Sequence, residues 1–236
     1  MDGVTFGTKH SFKDWGLYLK SRPVISPPTA KTNYQDLPGA DGQLDLTEAL
    51  TGDVKYDMRK ITCEFVVMSA RNRWDIIYSD ILDYLQGEDL IFFKDEEPCY
   101  IYKGRFQVNE WKSDKKSATL VIEGAVEPYK QDRFSSLEDW LWDTFRFEDG
   151  VIREYKDIEI DGKYSLEIPG ARMKVVPTIT VESTDGAGMT VSSNGRSYEL
   201  VDGVNIVPYI DIDKSGVILD FTGNGIVSIE YRGGRL

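Results

Sequence analysis

A mainly β fold, with one amphipathic helix and an extended arm in its first half and a β-sandwich in its second, follows from three observations on the 236-residue sequence. Apolar and polar residues alternate over most of the chain, as half-buried strands require. One segment alone repeats at helical spacing. Turn residues, chiefly Gly beside Asn, Asp or Pro, punctuate the C-terminal half at short intervals.

The elements are taken in chain order. The opening MDGVTFGTKHSFKDW lacks a basic region followed by an apolar one. No run in the chain approaches the 18 or so apolar residues of a membrane helix. The expectation is a protein without signal peptide or membrane span, made and folded in the cytosol.

Residues 36–52, DLPGADGQLDLTEALTG, are dense in Gly and acids. A phosphate-binding loop needs a terminal lysine, and this stretch has none. An EF-hand register that puts Gly42 at the turn and Glu48 at the last ligand puts Leu37 and Gly39 at the first two ligand positions, where neither has a side-chain oxygen. Turns account for it better. Leu37-Pro38-Gly39-Ala40 suits a type II turn, Asp41-Gly42 a tight hairpin turn, and Asp45 to Glu48 a capping box closed by Gly52. The stretch reads as an extended arm whose strand edges need cover, and a neighbouring subunit is the expected cover.

In residues 54–68, Val54, Tyr56 and Met58 are even while Ile61, Cys63, Phe65 and Val67 are odd. One face cannot hold both sets, so a β-bulge is expected near Arg59-Lys60. In RNRWDIIYSDILDYLQG, Trp74, Ile77, Tyr78, Ile81, Leu82 and Leu85 predict a helix over 71–86 closed by Gly87. Tyr100, Tyr102, Phe106 and Val108 share one face of a strand. Leu120, Ile122 and Val126 share another, with Gly124 between them.

The polar stretch EPYKQDRFSS marks a boundary. The expected organisation is a β domain over 1–130, an aromatic-rich connection over 131–150, and a β-sandwich over 151–236. In the last part, Pro169-Gly170, Ser193-Asn194-Gly195-Arg196 (a type I′ hairpin), Asp202-Gly203 and Gly223-Asn224-Gly225 are read as turns. Between and after them Val175, Ile179 and Val181, then Val217, Leu219 and Phe221, then Val227, Ile229 and Tyr231 alternate.

Composition limits function. The net charge of −12, from 40 acids and 28 bases, argues against specific nucleic-acid binding and against docking on anionic lipid. Two cysteines, Cys63 and Cys99, make no disulfide framework, and a pair of buried thiols is the favoured reading. One histidine, His10, rules out a multi-histidine metal centre, and no GxSxG elbow accompanies it. Ser113-Asp114-Lys115-Lys116 matches SxxK by chance in a polar hairpin. The segment Glu138-Asp139-Trp140-Leu141-Trp142-Asp143 places Trp140 and Trp142 beside carboxylates, a pattern that suits sugar stacking or, more commonly, packing. No cofactor, metal or catalytic residue is expected.

Four stretches together resemble the distal tail proteins of long-tailed bacteriophages, the siphophage baseplate hub. They are Phe6-Gly7-Thr8-Lys9-His10-Ser11 with Trp15-Gly16-Leu17, Pro38-Gly39-Ala40-Asp41-Gly42 with Asp45, Glu127-Pro128-Tyr129-Lys130, and Ile229 to Leu236. The resemblance implies a structural, non-enzymatic virion protein at the tail tip, made in the host bacterial cytoplasm. It implies a homohexameric ring of first domains around a channel for DNA, with Pro38, Gly39, Asp41, Gly42 and Asp45 in a subunit-interaction arm. It implies a galectin-like second domain that often carries receptor-binding proteins or side fibres. The tail tube protein on one face and a tail-associated lysin or fibre protein on the other are the implied partners. A carbohydrate-binding module in the C-terminal half is the alternative, and a glycoside hydrolase ranks last.

Overall fold

The structure is a computed structural model, and it describes residues 3–114, 116–138, 153–183 and 188–236. Most described residues are in strands, as expected. They fall into two compact units. One comprises residues 1–97 and 102–130 with Leu236, the other 98–101 and 131–235.

In the first unit an antiparallel sheet runs in the order Lys9–His10, Val4–Phe6, Asp89–Lys94, Glu97–Ser113, Ala118–Val126, Arg59–Val67, Leu17–Leu19. Val24–Ile25 pairs with Arg59–Val67 beside Leu17–Leu19. The helix Trp74–Leu85 follows a 3-10 turn over Arg71–Arg73, so the first predicted turn is tighter than an α-turn. It buries Trp74, Ile77, Ile81 and Leu85, the stripe that the spacing predicts.

The core centres on aromatic rings. Phe6 lies 5.2 Å from both Phe92 and Phe106, centroid to centroid, and Phe92 lies 5.6 Å from Phe106. Gly124 explains itself here. A Cβ on it would stand 2.3 Å from the Phe106 ring, so the missing side chain is the space the ring occupies.

One local expectation is corrected here. No bulge interrupts residues 59–60. The strand begins at Arg59, its odd residues Arg59, Ile61, Cys63, Phe65 and Val67 are all buried, and the even set Val54, Tyr56 and Met58 lies before it. The bulge sits in the partner ladder instead, where Val121 faces Glu110 and Ile122 faces Val108, leaving Asn109 extra. That extra residue brings Trp111 back to the face of Val108, where it stacks on Tyr78 of the helix at 4.7 Å and 27°.

Lys94 and Lys130 each place Nζ 2.8 Å from a Glu97 carboxylate oxygen. Burial alone would raise the Glu97 carboxyl. The hydrogen bonds and charges of Lys130 and Lys94 outweigh burial and hold it below the usual carboxylate range.

In the second unit, Val217–Glu230 is the strand on which the rest assembles. Ile158–Ile168 follows it over residues 217–227. Met189–Ser193 pairs it at residues 220–222 and Thr178–Ser183 at 225–230. The strand exchanges these two partners at Gly223-Asn224-Gly225. The sequence reading took this triplet for a turn between two strands, but it lies inside one. A Cβ on Gly225 would stand 2.4 Å from the Glu182 carbonyl oxygen, so glycine permits the close backbone approach. The Asn194-Gly195 hairpin is type I′ as expected, with φ of 49° and 74° between paired Ser193 and Arg196.

Residues 131–138 are tied into this unit rather than running free. Gln131 pairs with Ile101, and Ser136 Oγ donates to Ile229 O at 2.6 Å and accepts from Tyr231 N at 2.9 Å. The terminal glycines are packed, not a solvated tail. Gly233 N–Cα–C backbone leaves room for Arg153 and Asp132, which pair at 2.8 Å, and Arg232 donates to the carbonyls of Asp132 and Arg133.

Two outcomes check this account. Gly124→Ala is expected to lower unfolding free energy by about 1–3 kcal/mol through overpacking against Phe106, measured by urea denaturation. Glu97 has a depressed folded-state pKa, so its contribution is present above the unfolded value of about 4.3 and is lost as pH falls below it. Between pH ~5 and ~3 the native chain is expected to lose stability more steeply than Glu97→Gln, read from melting temperatures across that window.

Candidate subunit-interaction arm

Strand Arg59–Val67 meets Val24–Ile25 at Thr62 and Ile61. Everything between Ile25 and Arg59 is an excursion that folds back on itself. Asp57 N donates to Thr29 O and Lys31 N to Lys55 O, both at 2.8 Å, and Ala30 bridges Tyr56. Leu46 N then bonds Asn33 O at 2.8 Å, and Tyr34–Asp36 pairs with Gln43–Asp45 as a separate two-stranded sheet. Residues 29–45 are exposed without interruption.

The turn chemistry matches in part. Ala40 N donates to Leu37 O at 3.2 Å with Pro38 between them and Gly39 at φ 82°, the type II turn the residues demand. Asp41-Gly42 does not form a two-residue hairpin. It ends a loop of six residues, 37–42, between paired Asp36 and Gln43, with Gly42 at φ 78°. Asp45 makes an Asx turn in place of the expected capping box. Its Oδ1 accepts from Thr47 N at 2.9 Å, and the hydroxyl and amide of Thr47 hold its carboxyl below the usual range. Gly52 N closes the following helical turn on Glu48 O. Thus Pro38, Gly39, Asp41, Gly42 and Asp45 are brought together at one hairpin and its base. Trp140 and Trp142 lie outside the described residues.

What the sequence reading missed is the apolar content of this exposed element. Tyr34, Leu37 and Leu44 are half exposed and Leu50 is 95% exposed. An isolated two-stranded hairpin is marginal in water, and this one shows its leucines to solvent. The signal was present as apolar residues spaced through a turn-rich stretch.

The titratable groups elsewhere serve structure. His10 caps the short helix Ser11–Trp15. Its Nδ1 accepts from Phe12 N and Lys13 N, each at 3.1 Å, so Nε2 carries the proton and donates to Asp95 Oδ2 at 2.9 Å. Ser113 and Lys116 flank a turn in which Asp114 Oδ1 accepts from the amides of Lys116 and Ser117. Burial pushes the Cys63 thiol up to about 12, and burial with neighbouring Tyr231 pushes Tyr155 to about 12. Neither Cys63 nor Cys99 is in a disulfide; Cys63 is buried as expected, whereas Cys99 is only half-buried. Among the described residues no group of three His, Cys, Asp or Glu converges to hold a metal ion. A cleft beside Gly3, Leu19 and Pro23 has its charges paired, Arg22 to Glu96 at 3.3 Å and Lys94 to Glu97 at 2.8 Å.

A protease specific for glutamate is expected to cut the isolated native chain first at Glu48, before any site in either core, as followed by mass spectrometry of a limited digest.

No protein-family model matches the sequence, and no curated protein matches it. Among solved structures, the chain is similar to the crystal structure of the SPP1 Dit (gp 19.1) protein, described as a paradigm of hub adsorption apparatus in Gram-positive infecting phages. The TM-score is 0.65 at 11% identity, covering 100% of both chains, so the two share a fold over their whole lengths. A chain in the virion of a native gene transfer agent particle matches 45% of this chain and 79% of its own at 19% identity, with a TM-score of 0.28 that is too low to bear on the fold. The mainly β architecture expected from the sequence is the one found, and the SPP1 Dit protein shares its fold.

Proposed function

We propose that the protein is a structural component of a long-tailed phage or phage-derived particle, the distal tail hub. In this reading six copies form a ring through their first units and leave a channel for DNA. The ring joins the tail tube to the tail-tip apparatus, a lysin or fibre protein. The second unit is the galectin-like module that faces outward and offers a docking point for receptor-binding proteins. The chain acts at the virion tail tip after synthesis in the host cytoplasm, by assembly and without catalysis.

The observation that carries the reading is the arm. A polar-backboned hairpin with exposed leucines has no stabilising core of its own, and a neighbouring copy supplies one. The shared fold with SPP1 Dit, a protein of a hub adsorption apparatus, supports the same conclusion. Negative-stain images and light scattering test it. The expected particle is a ring of six times 26.8 kDa, about 161 kDa. Deleting residues 34–53 should leave a folded monomer. A monomer from the intact chain, alone and with its neighbouring virion proteins, would sink the proposal.

One observation favours a second reading, carbohydrate binding by the second unit. Tyr209 is 69% exposed, lies parallel to Tyr198 (8°, 6.3 Å), and has the Arg196 guanidinium 6.0 Å from its ring. An aromatic face with a donor beside it suits a sugar ring. Glycan-array binding that Tyr209→Ala abolishes would establish this reading; no binding would remove it.

A further inference from the structure

The arm has an identifiable chemistry, and the same chain has a surface that matches it. From Tyr34 to Asp53 the arm holds five acids, Asp36, Asp41, Asp45, Glu48 and Asp53, and no lysine or arginine. It adds the exposed apolar groups Tyr34, Leu37, Leu44 and Leu50. A partner for this element must offer cations interleaved with apolar side chains.

Such a surface lies at the start of the first unit's helix. Within residues 68–76, Met68 is 64% and Ile76 58% exposed, and between them stand exposed Arg71 and Arg73 against a single acid, Asp75. Lys116 stands at the neighbouring hairpin tip, where its amide bonds Asp114. Backbone hydrogen bonds from Lys116 and Ser117 lower the Asp114 carboxyl, and the charge of Arg71 adds to them, which places Arg71 beside that tip. Among the described residues Arg71, Arg73 and Lys116 make no ion pair, whereas Lys9, Lys20, Lys31, Lys60 and Lys94 do. Exposed ion pairs contribute little, so free cations are not costly in themselves. Their placement between two exposed apolar side chains is what distinguishes this corner.

We infer that the acidic, leucine-bearing arm of one copy docks on the corner formed by Met68, Arg71, Arg73 and Ile76 of a second copy. The inference rests on the hub reading and names the acceptor that reading leaves open. Leucines meet Met68 and Ile76, and the carboxylates meet the arginines. Opposite charge guides the approach and sets the register, while apolar contact slows release.

Disulfide trapping between full-length chains tests it. A Leu44→Cys chain mixed with an Ile76→Cys chain under mild oxidant should form a covalent dimer at least tenfold faster than Leu44→Cys mixed with Tyr164→Cys, a control on the second unit. Both substituted side chains are exposed, so folding is preserved. Arg71→Glu with Arg73→Glu in the acceptor chain should slow trapping severalfold. Asp41→Lys with Asp45→Lys in the arm chain should restore it. Trapping no faster than the control, while the native chain still forms a ring, would overturn the acceptor and leave the hub reading standing. Loss of both trapping and ring would overturn both. Trapping that ignores charge reversal would also overturn the inference, since apolar contact without pairing does not select this corner.

Discussion

A strand in a folded core must satisfy its backbone donors and acceptors on both edges, and strand Arg59–Val67 governs the first unit through that demand. One edge is filled along its length by Ala118–Val126. The other is divided between Leu17–Leu19 at its end and Val24–Ile25 at its beginning. This division sends the chain out as an arm. Past Ile25 only Ser26 still bonds the strand, at Lys60, before the chain leaves the sheet and returns to start the strand at Arg59. The second unit meets the same demand differently. Val217–Glu230 takes one partner along one edge and two in succession along the other, and the glycines at 223 and 225 let the backbones approach where the exchange occurs.

Much of this was legible before the structure. The helix stripe from Trp74 to Leu85 has no strand reading, and its buried face is the one the spacing names. Asn194-Gly195 admits almost one turn, and Pro38-Gly39 another. Misreadings came where pairing decides the outcome. Parity across residues 54–68 suggested a bulge because both sets are apolar, yet the even residues simply precede the strand. The real bulge at Asn109 left no mark because Trp111 is acceptable on either face of a strand, and only its stack on Tyr78 reveals the shift. Gly-Asn-Gly in isolation is turn chemistry. Three partner strands override it here.

The candidate site was legible as an arm with shaped corners but not as an apolar one. Leu37, Leu44 and Leu50 stand among turn residues and acids that drew the reading, and only their exposure shows that nothing among the described residues covers them. His10 teaches the converse. A lone histidine invites a catalytic reading, but both ring nitrogens are spent on the backbone of Ser11–Trp15 and on Asp95.

Since residues 29–45 touch neither core, substituting them leaves the fold's own stability nearly untouched. Folding therefore places few demands on their identity. In the assembly proposed above, what constrains that stretch lies beyond the molecule to which it belongs, and its chemistry can drift only in step with the surface it meets there.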